Sequence, residues 1–227
     1  KMKLKKNNKE KFFIQSLHKS TKREFLKRMI NNKVDCMKEA RKFGKNYWDG
    51  DRKYGYGGYK FIPGRLSFIA KKIIKVFKLS SKSKILDLGC GKGYLLYEIL
   101  NLLPEIKVKG LEISKHAISD SPKNIKSKIL NLDARNKLPF ASNEFDLAIS
   151  FGLFHNFNLL EIEKSIKELN RVAKKKYLMV ESYRNDKELF NLQCWALTCE
   201  TFLRPEEWKW LFKKTGYNGD YEFIYFK

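Results

Sequence analysis

The stretch Lys84-Ile85-Leu86-Asp87-Leu88-Gly89-Cys90-Gly91-Lys92-Gly93-Tyr94-Leu95-Leu96 decides the fold. An apolar run ends in a turn with glycine at alternate positions, and an amphipathic segment follows at once. Strand, glycine turn and helix in that order form the corner at which α/β proteins receive a nucleotide-like ligand. Glycine lets the backbone turn sharply and come close to that ligand. Asp87 sets the sign of what is bound: its carboxylate would repel a pyrophosphate and suits a cationic amino group. A nicotinamide-binding domain would show G-x-G-x-x-G; this turn is G-x-G-x-G, ending at Gly93.

Outward from that corner, apolar runs and amphipathic segments alternate. Strands are expected at 83–88, 106–111, 127–132, 144–150, 176–181 and 221–226. Helices are expected at 65–78, 94–103, 159–172, 187–197 and 205–214, with Ser114 as the N-cap of a short helix and Gly216 as a C-cap. Pro104 stops the helix after the glycine turn. This alternation predicts an α/β fold, a doubly wound, mostly parallel Rossmann-like sheet with helices on both faces. Residues 1–64 read as a separate basic segment: a mobile Lys/Asn-rich start over 1–10, a helical pattern over 12–43 that Asn31-Asn32 can break, and a Gly/Tyr-rich loop over 47–59. That segment is expected to form a lid on the 65–227 domain.

The net charge is +23, with 39 Lys and only 9 Arg. Residues 1–45 hold 16 basic and 4 acidic side chains, a net of +12. Such a balance suits nucleic acid or an anionic surface, yet arginine, the favoured reader of phosphates and bases, is scarce. Lysine-rich coding bias explains the excess more simply. The four cysteines have no zinc-ligand spacing, and no metal site is expected. No apolar run is long enough for a membrane span, and the charged N-terminus lacks an apolar leader region, so the expected compartment is the cytoplasm.

The motifs from Ile85 to Val172 resemble those of class I S-adenosylmethionine (SAM)-dependent methyltransferases of the small-molecule type. The matching residues are Ile85 to Gly93, then Gly110-Leu111-Glu112-Ile113-Ser114, Leu132-Asp133-Ala134, Leu138-Pro139-Phe140, Phe145 to Ser150 and Glu168 to Val172. Five further matches in order carry a weight that the glycine turn alone does not. The resemblance implies SAM as cofactor and S-adenosylhomocysteine as product. It places Asp87, Gly89, Cys90, Gly91 and Gly93 around the methionine part, and Glu112 and Ile113 at the ribose. Asp133 and Ala134 would meet the adenine, with Ser150 and Phe151 near the sulfonium. Glu112 lies 19 residues past Gly93, close to the spacing expected of a ribose-binding acid.

A hydroxyl acceptor needs a general base, and His155, in the loop after the fourth strand, is the candidate. Tyr47, Arg52, Tyr54, Tyr59, Asn156, Tyr183, Arg184 and Trp195 are the expected acceptor contacts, the arginines suiting a carboxylate or phosphate. The Asn/Asp-Pro-Pro-Tyr/Phe signature of nucleic-acid amino methylation is absent; Ser150-Phe151-Gly152-Leu153 stands there. The expected activity is therefore O- or N-methylation of a small anionic metabolite. The alternatives are an RNA methyltransferase using the basic N-terminus and a non-catalytic SAM-fold partner protein. A monomer and a homodimer both remain open.

Overall fold

A computed structural model describes residues 8–227. Its centre is one sheet of six strands: β1 (Lys84–Leu88), β2 (Lys107–Glu112), β3 (Ile129–Asn131), β4 (Phe145–Phe151), β5 (Ala173–Glu181) and β6 (Asp220–Ile224). The order is β3-β2-β1-β4-β5-β6, and every pairing is parallel. Strand order reverses between β1 and β4, so a crevice opens beyond their carboxyl ends, where such sheets bind ligands.

Among the described residues, eleven α-helices accompany the sheet: α1 (Gln15–Lys19), α2 (Phe25–Ile30), α3 (Lys33–Ala40), α4 (Lys45–Asp49), α5 (Ser67–Phe77), α6 (Tyr94–Leu102), α7 (Lys115–Ser119), α8 (Lys123–Lys126), α9 (Leu159–Val172), α10 (Asp186–Trp195) and α11 (Pro205–Lys214). Ile69 and Ile73 of α5 and Leu96 and Ile99 of α6 fill one face of the sheet. Ile162, Ile166 and Leu169 of α9, with Trp208 and Phe212 of α11, fill the other. The three-to-four-residue spacing of these side chains is what makes each helix amphipathic and fixes the face it buries. Caps set the boundaries. Asn158 and Glu161 form a capping box at the start of α9, Ser114 caps α7 through the Ala117 N–H, and Gly216, at φ 68°, closes α11.

The N-terminal segment departs from the expected pattern. The helical stretch over 12–43 is three short helices, because the chain reverses after α1 and again at Asn32, which is left-handed at φ 47°. Residues 1–7 of the expected mobile start lie outside the described residues. Residues 9–11 pair with β6: the Tyr221 N–H donates to the Lys9 carbonyl at 3.2 Å and the Lys11 N–H to the Tyr221 carbonyl at 2.8 Å. The following turn is anchored by Glu222, a fully buried side chain of β6. Its carboxylate accepts from the N–H groups of Phe13 (2.7 Å), Ile14 (3.1 Å) and Gln15 (3.1 Å) and from the Tyr177 hydroxyl (2.6 Å). One side chain thus takes up the free donors at the start of α1. From there the segment runs over the carboxyl edge of the sheet. Among the described residues, no helix is long and apolar enough to cross a membrane.

Candidate active site

Two buried carboxylates stand at the glycine corner. Asp87 stands one residue before the end of β1 at 4% exposure, and Glu112 ends β2 at 6%. Glu112 accepts from the Gly91 and Ser114 N–H groups, each at 2.8 Å and each on a different oxygen. Each oxygen keeps a second lone pair for an outside donor. Burial raises the Glu112 carboxyl, although those N–H groups oppose it. Burial, then the neighbouring Glu112, push the Asp87 carboxyl well above the usual carboxylate range, and no hydrogen bond offsets them. A pair of buried acids without a cation is costly, and a ligand with a positive centre relieves it. A vicinal diol matches the free lone pairs of Glu112.

The three glycines of the turn all have positive φ: 71° at Gly89, 56° at Gly91 and 71° at Gly93. A methyl group at Gly91 would come within 2.8 Å of the Trp48 ring of α4. Trp48 is held there by its indole N–H, which lies 2.9 Å from the Ser114 hydroxyl and 3.1 Å from the Phe43 carbonyl. Lys92, 1% exposed, turns out of the corner and bonds Asp49 of α4 at 2.8 Å and Asp120 at 2.5 Å. His116 reaches the other Asp49 oxygen at 2.7 Å. The glycine turn is therefore latched to the N-terminal segment by a ring contact and an ion cluster.

A cavity of about 410 Å³ lies beside this corner, over the ends of β4 and β5. Phe151, Gly152, His155, Asn156, Met179 and Glu181 form its floor; Tyr47, Arg52, Tyr56 and Tyr59 cover it; Arg23, Arg28 and Trp195 stand at its side. His155 is 4% exposed, and burial lowers its imidazole below the ordinary value against the pull of Glu181. The Glu181 backbone N–H donates to His155 Nδ1 at 3.2 Å. The neutral ring therefore carries its proton on Nε2, and Nε2 lies 3.4 Å from Glu181 Oε2. In this arrangement His155 is a donor and the Glu181 carboxylate is the acceptor that faces the cavity. Asn156 is fixed by its amide N–H to the Gly152 carbonyl at 2.9 Å and by the Thr198 hydroxyl at 2.8 Å.

Residues 79–216 match the methyltransferase-domain family. The chain belongs to that family. Class I members use SAM as methyl donor, and a sulfonium, an ammonium and a ribose diol are the groups that the Asp87–Glu112 pair can accept. This methyltransferase-domain chain is 30% identical over 154 residues, 63% of its length, to the ubiquinone biosynthesis O-methyltransferase of Pelagibacter ubique. It spans 62% of that relative's length. It is 28% identical over 116 residues, 51% of its length and 33% of the relative's, to the mitochondrial arginine-hydroxylase of Rattus norvegicus. Among solved structures, the YcgJ protein of Bacillus subtilis superposes with a TM-score of 0.53 at 18% identity, over 64% of this chain and 66% of that one. A methyltransferase solved in complex with the Trm112 activator of Haloferax volcanii superposes with a TM-score of 0.52 at 18% identity, over 69% and 77% of the two chains. The last two show a shared fold.

Within this methyltransferase-domain fold, several expected contacts fall together and others do not. Tyr47, Arg52, Tyr59, Asn156, Trp195, Phe151 and His155 all line the one cavity. Ile113, 45% exposed, stands open beside Glu112. Cys90 points away, its sulfur against Gly110, so it serves the corner through its backbone. Ala134 and Ser150 are buried in the fold. The Ser150 hydroxyl donates to the Leu88 carbonyl at 2.9 Å and joins β4 to β1 rather than facing a ligand. Asp133 accepts from the Arg135 N–H and guanidinium at 2.6–3.0 Å. The pair is partly exposed. Tyr54 packs against Cys36, Ala40 and Leu197, outside the cavity. Arg184 is neutralised by Glu188 and stacks on Tyr225 at 4.1 Å, and Tyr183 lies beneath Arg204 at 5.6 Å. None of these three lines that cavity. Trp48, Lys92, Arg23, Arg28 and Tyr56 escaped the sequence reading, because their places depend on how the N-terminal segment docks.

Proposed function

We propose that this chain transfers the methyl group of SAM to a hydroxyl of a small anionic acceptor held in the cavity. The observation that carries the reading is the pairing of a buried acid corner with an adjoining cavity whose lining sets one carboxylate, Glu181, against five cations, Arg23, Arg28, Arg52, Lys60 and Arg65, among aromatic and aliphatic side chains. SAM supplies an electrophilic methyl on a positive sulfur, displaced in line by the acceptor atom. Asp87 and the Gly89–Gly93 turn would hold its amino-acid end, Glu112 its ribose, and Asp133 with Ile113 its base. The N-terminal segment serves as the lid, with Trp48 closing the turn and Tyr47, Tyr56 and Tyr59 roofing the acceptor.

Glu181 is the group placed to take the acceptor proton. His155 positions it: the Nε2–H faces one carboxylate oxygen, and Nδ1 is tied to the Glu181 backbone. This assigns His155 a positioning part in place of the base expected from sequence. The name of the Pelagibacter relative, an O-methyltransferase, favours an oxygen acceptor. In an assay of S-adenosylhomocysteine release, Glu181→Gln is expected to lower kcat by about 100-fold or more while SAM affinity stays unchanged. An unchanged kcat in Glu181→Gln would contradict the assignment.

A further inference from the structure

Arginine is scarce in this chain, yet three of its nine arginines converge on one indole. The Cζ atoms of Arg28, Arg52 and Arg23 lie 4.3, 5.0 and 5.5 Å from the centre of the Trp195 ring. Among the described residues, none of the three is within salt-bridge distance of a carboxylate. By contrast Arg135, Arg171 and Arg184, all outside the cavity, are each paired with an acid. The cavity arginines are held by neutral groups instead. The Arg52 Nη1 donates to the carbonyls of Gly55 and Tyr56 at 2.8 and 2.9 Å. The Arg23 Nη1 donates to those of His18 and Thr21, both at 3.0 Å. The Nε atoms of Arg23 and Arg28 are buried with no hydrogen-bond partner. Burial, then repulsion from Arg52, pulls the Arg28 guanidinium down to about 10.

Holding three like charges together without a counter-ion costs free energy, and the carbonyls and the indole fix them in place ahead of any ligand. Glu181 is the one carboxylate among the lining side chains. Lys60 and Arg65 line the cavity as well, so its five cations and one carboxylate leave a net charge of +4. A carboxylate ligand would meet one of those charges, whereas a phosphate monoester carries nearly two negative charges at neutral pH. Guanidinium edges also match phosphate oxygens in geometry.

We propose that Arg23, Arg28 and Arg52 around Trp195 form a clamp for a phosphate monoester, so that the acceptor is a phosphorylated small molecule. The clamp rests on the acceptor-cavity reading above and narrows it. A cavity of about 410 Å³ has room for one such molecule.

Two calorimetric titrations of the full chain at fixed ionic strength separate the claims: phenyl phosphate reads the clamp, and S-adenosylhomocysteine reads the donor corner. Phenyl phosphate is expected to bind, with benzoate weaker. Arg52→Gln should weaken phenyl phosphate by about tenfold or more, Arg52→Lys by less, and neither should alter S-adenosylhomocysteine affinity. Inorganic phosphate should compete more weakly than the ester; equal affinity would mark a free-anion site and overturn the acceptor assignment. Phenyl phosphate that fails to bind while S-adenosylhomocysteine binds would overturn the clamp and leave the donor reading intact. The reverse result would sink the donor reading and keep the clamp. A labelled RNA oligonucleotide whose binding is lost in Arg52→Gln, and which phenyl phosphate does not displace, would overturn the clamp in favour of nucleic-acid capture.

Discussion

Gly91 answers to two constraints at once. Its φ of 56° is one that a side-chain-bearing residue adopts at a cost of about 1–2 kcal/mol, and a methyl group there would also strike the Trp48 ring at 2.8 Å. Gly152, at φ 77°, faces only the first constraint, since its nearest neighbours would stand 3.7 Å away. Gly91→Ala should therefore lower unfolding free energy in denaturant by clearly more than Gly152→Ala, and should loosen SAM binding as Trp48 is displaced. Equal losses would mean that Trp48 does not rest on the turn. At this scale the donor corner was legible: Asp87, Glu112 and the glycines are fixed by spacing along consecutive strands. The acceptor cavity was less so. Arg23 precedes α2 and Arg28 lies within it, Glu181 comes from β5 and Trp195 from α10, and no local pattern links the three segments. The exchange of parts between His155 and Glu181 depends on which ring nitrogen meets a backbone N–H, a contact invisible before the chain folds.

Among the elements, the sheet and its flanking helices follow the sequence pattern closely, α9 and α11 to the residue. Strong apolar periodicity, Pro205 and the Asn158 capping box leave those helices little freedom. The N-terminal elements do not follow it, because α1, α2 and α3 are too short to be stable alone and take their form from what they dock against. His18 of α1 shows the consequence. Its Nδ1 accepts from Arg23 at 3.1 Å and its Nε2–H donates to the Tyr225 carbonyl at 3.1 Å, so the ring is neutral. Burial, then the charge of Arg23, lower its pKa from 6.5 to about 4. Between those two values the unfolded chain binds a proton that the folded chain refuses. The stability contributed is thus complete above about pH 6.5 and is lost as pH falls toward 4. At most about 3 kcal/mol is at stake. Thermal melts should show Tm falling over that window, and His18→Gln should flatten the fall. A slope unchanged in His18→Gln would place the titrating group elsewhere.

Across the whole molecule, the site joins two poles of opposite sign. The acid pair at the ends of β1 and β2 suits a cationic donor, and the arginine cluster around Trp195 suits an anionic acceptor. In the proposed reading, an acceptor held in the cavity beside that corner would present its hydroxyl to Glu181. The net charge of +23 is not needed for this, since the site's polarity comes from a few buried or half-buried groups rather than from surface lysines. The most direct measurement is a calorimetric titration of the chain with SAM, run beside Glu112→Ala. Micromolar binding is predicted for the parent chain, weakened by about 100-fold or more in the variant as the charge-assisted bonds to the ribose are lost. No binding at millimolar SAM, or equal affinity in the two proteins, would contradict it.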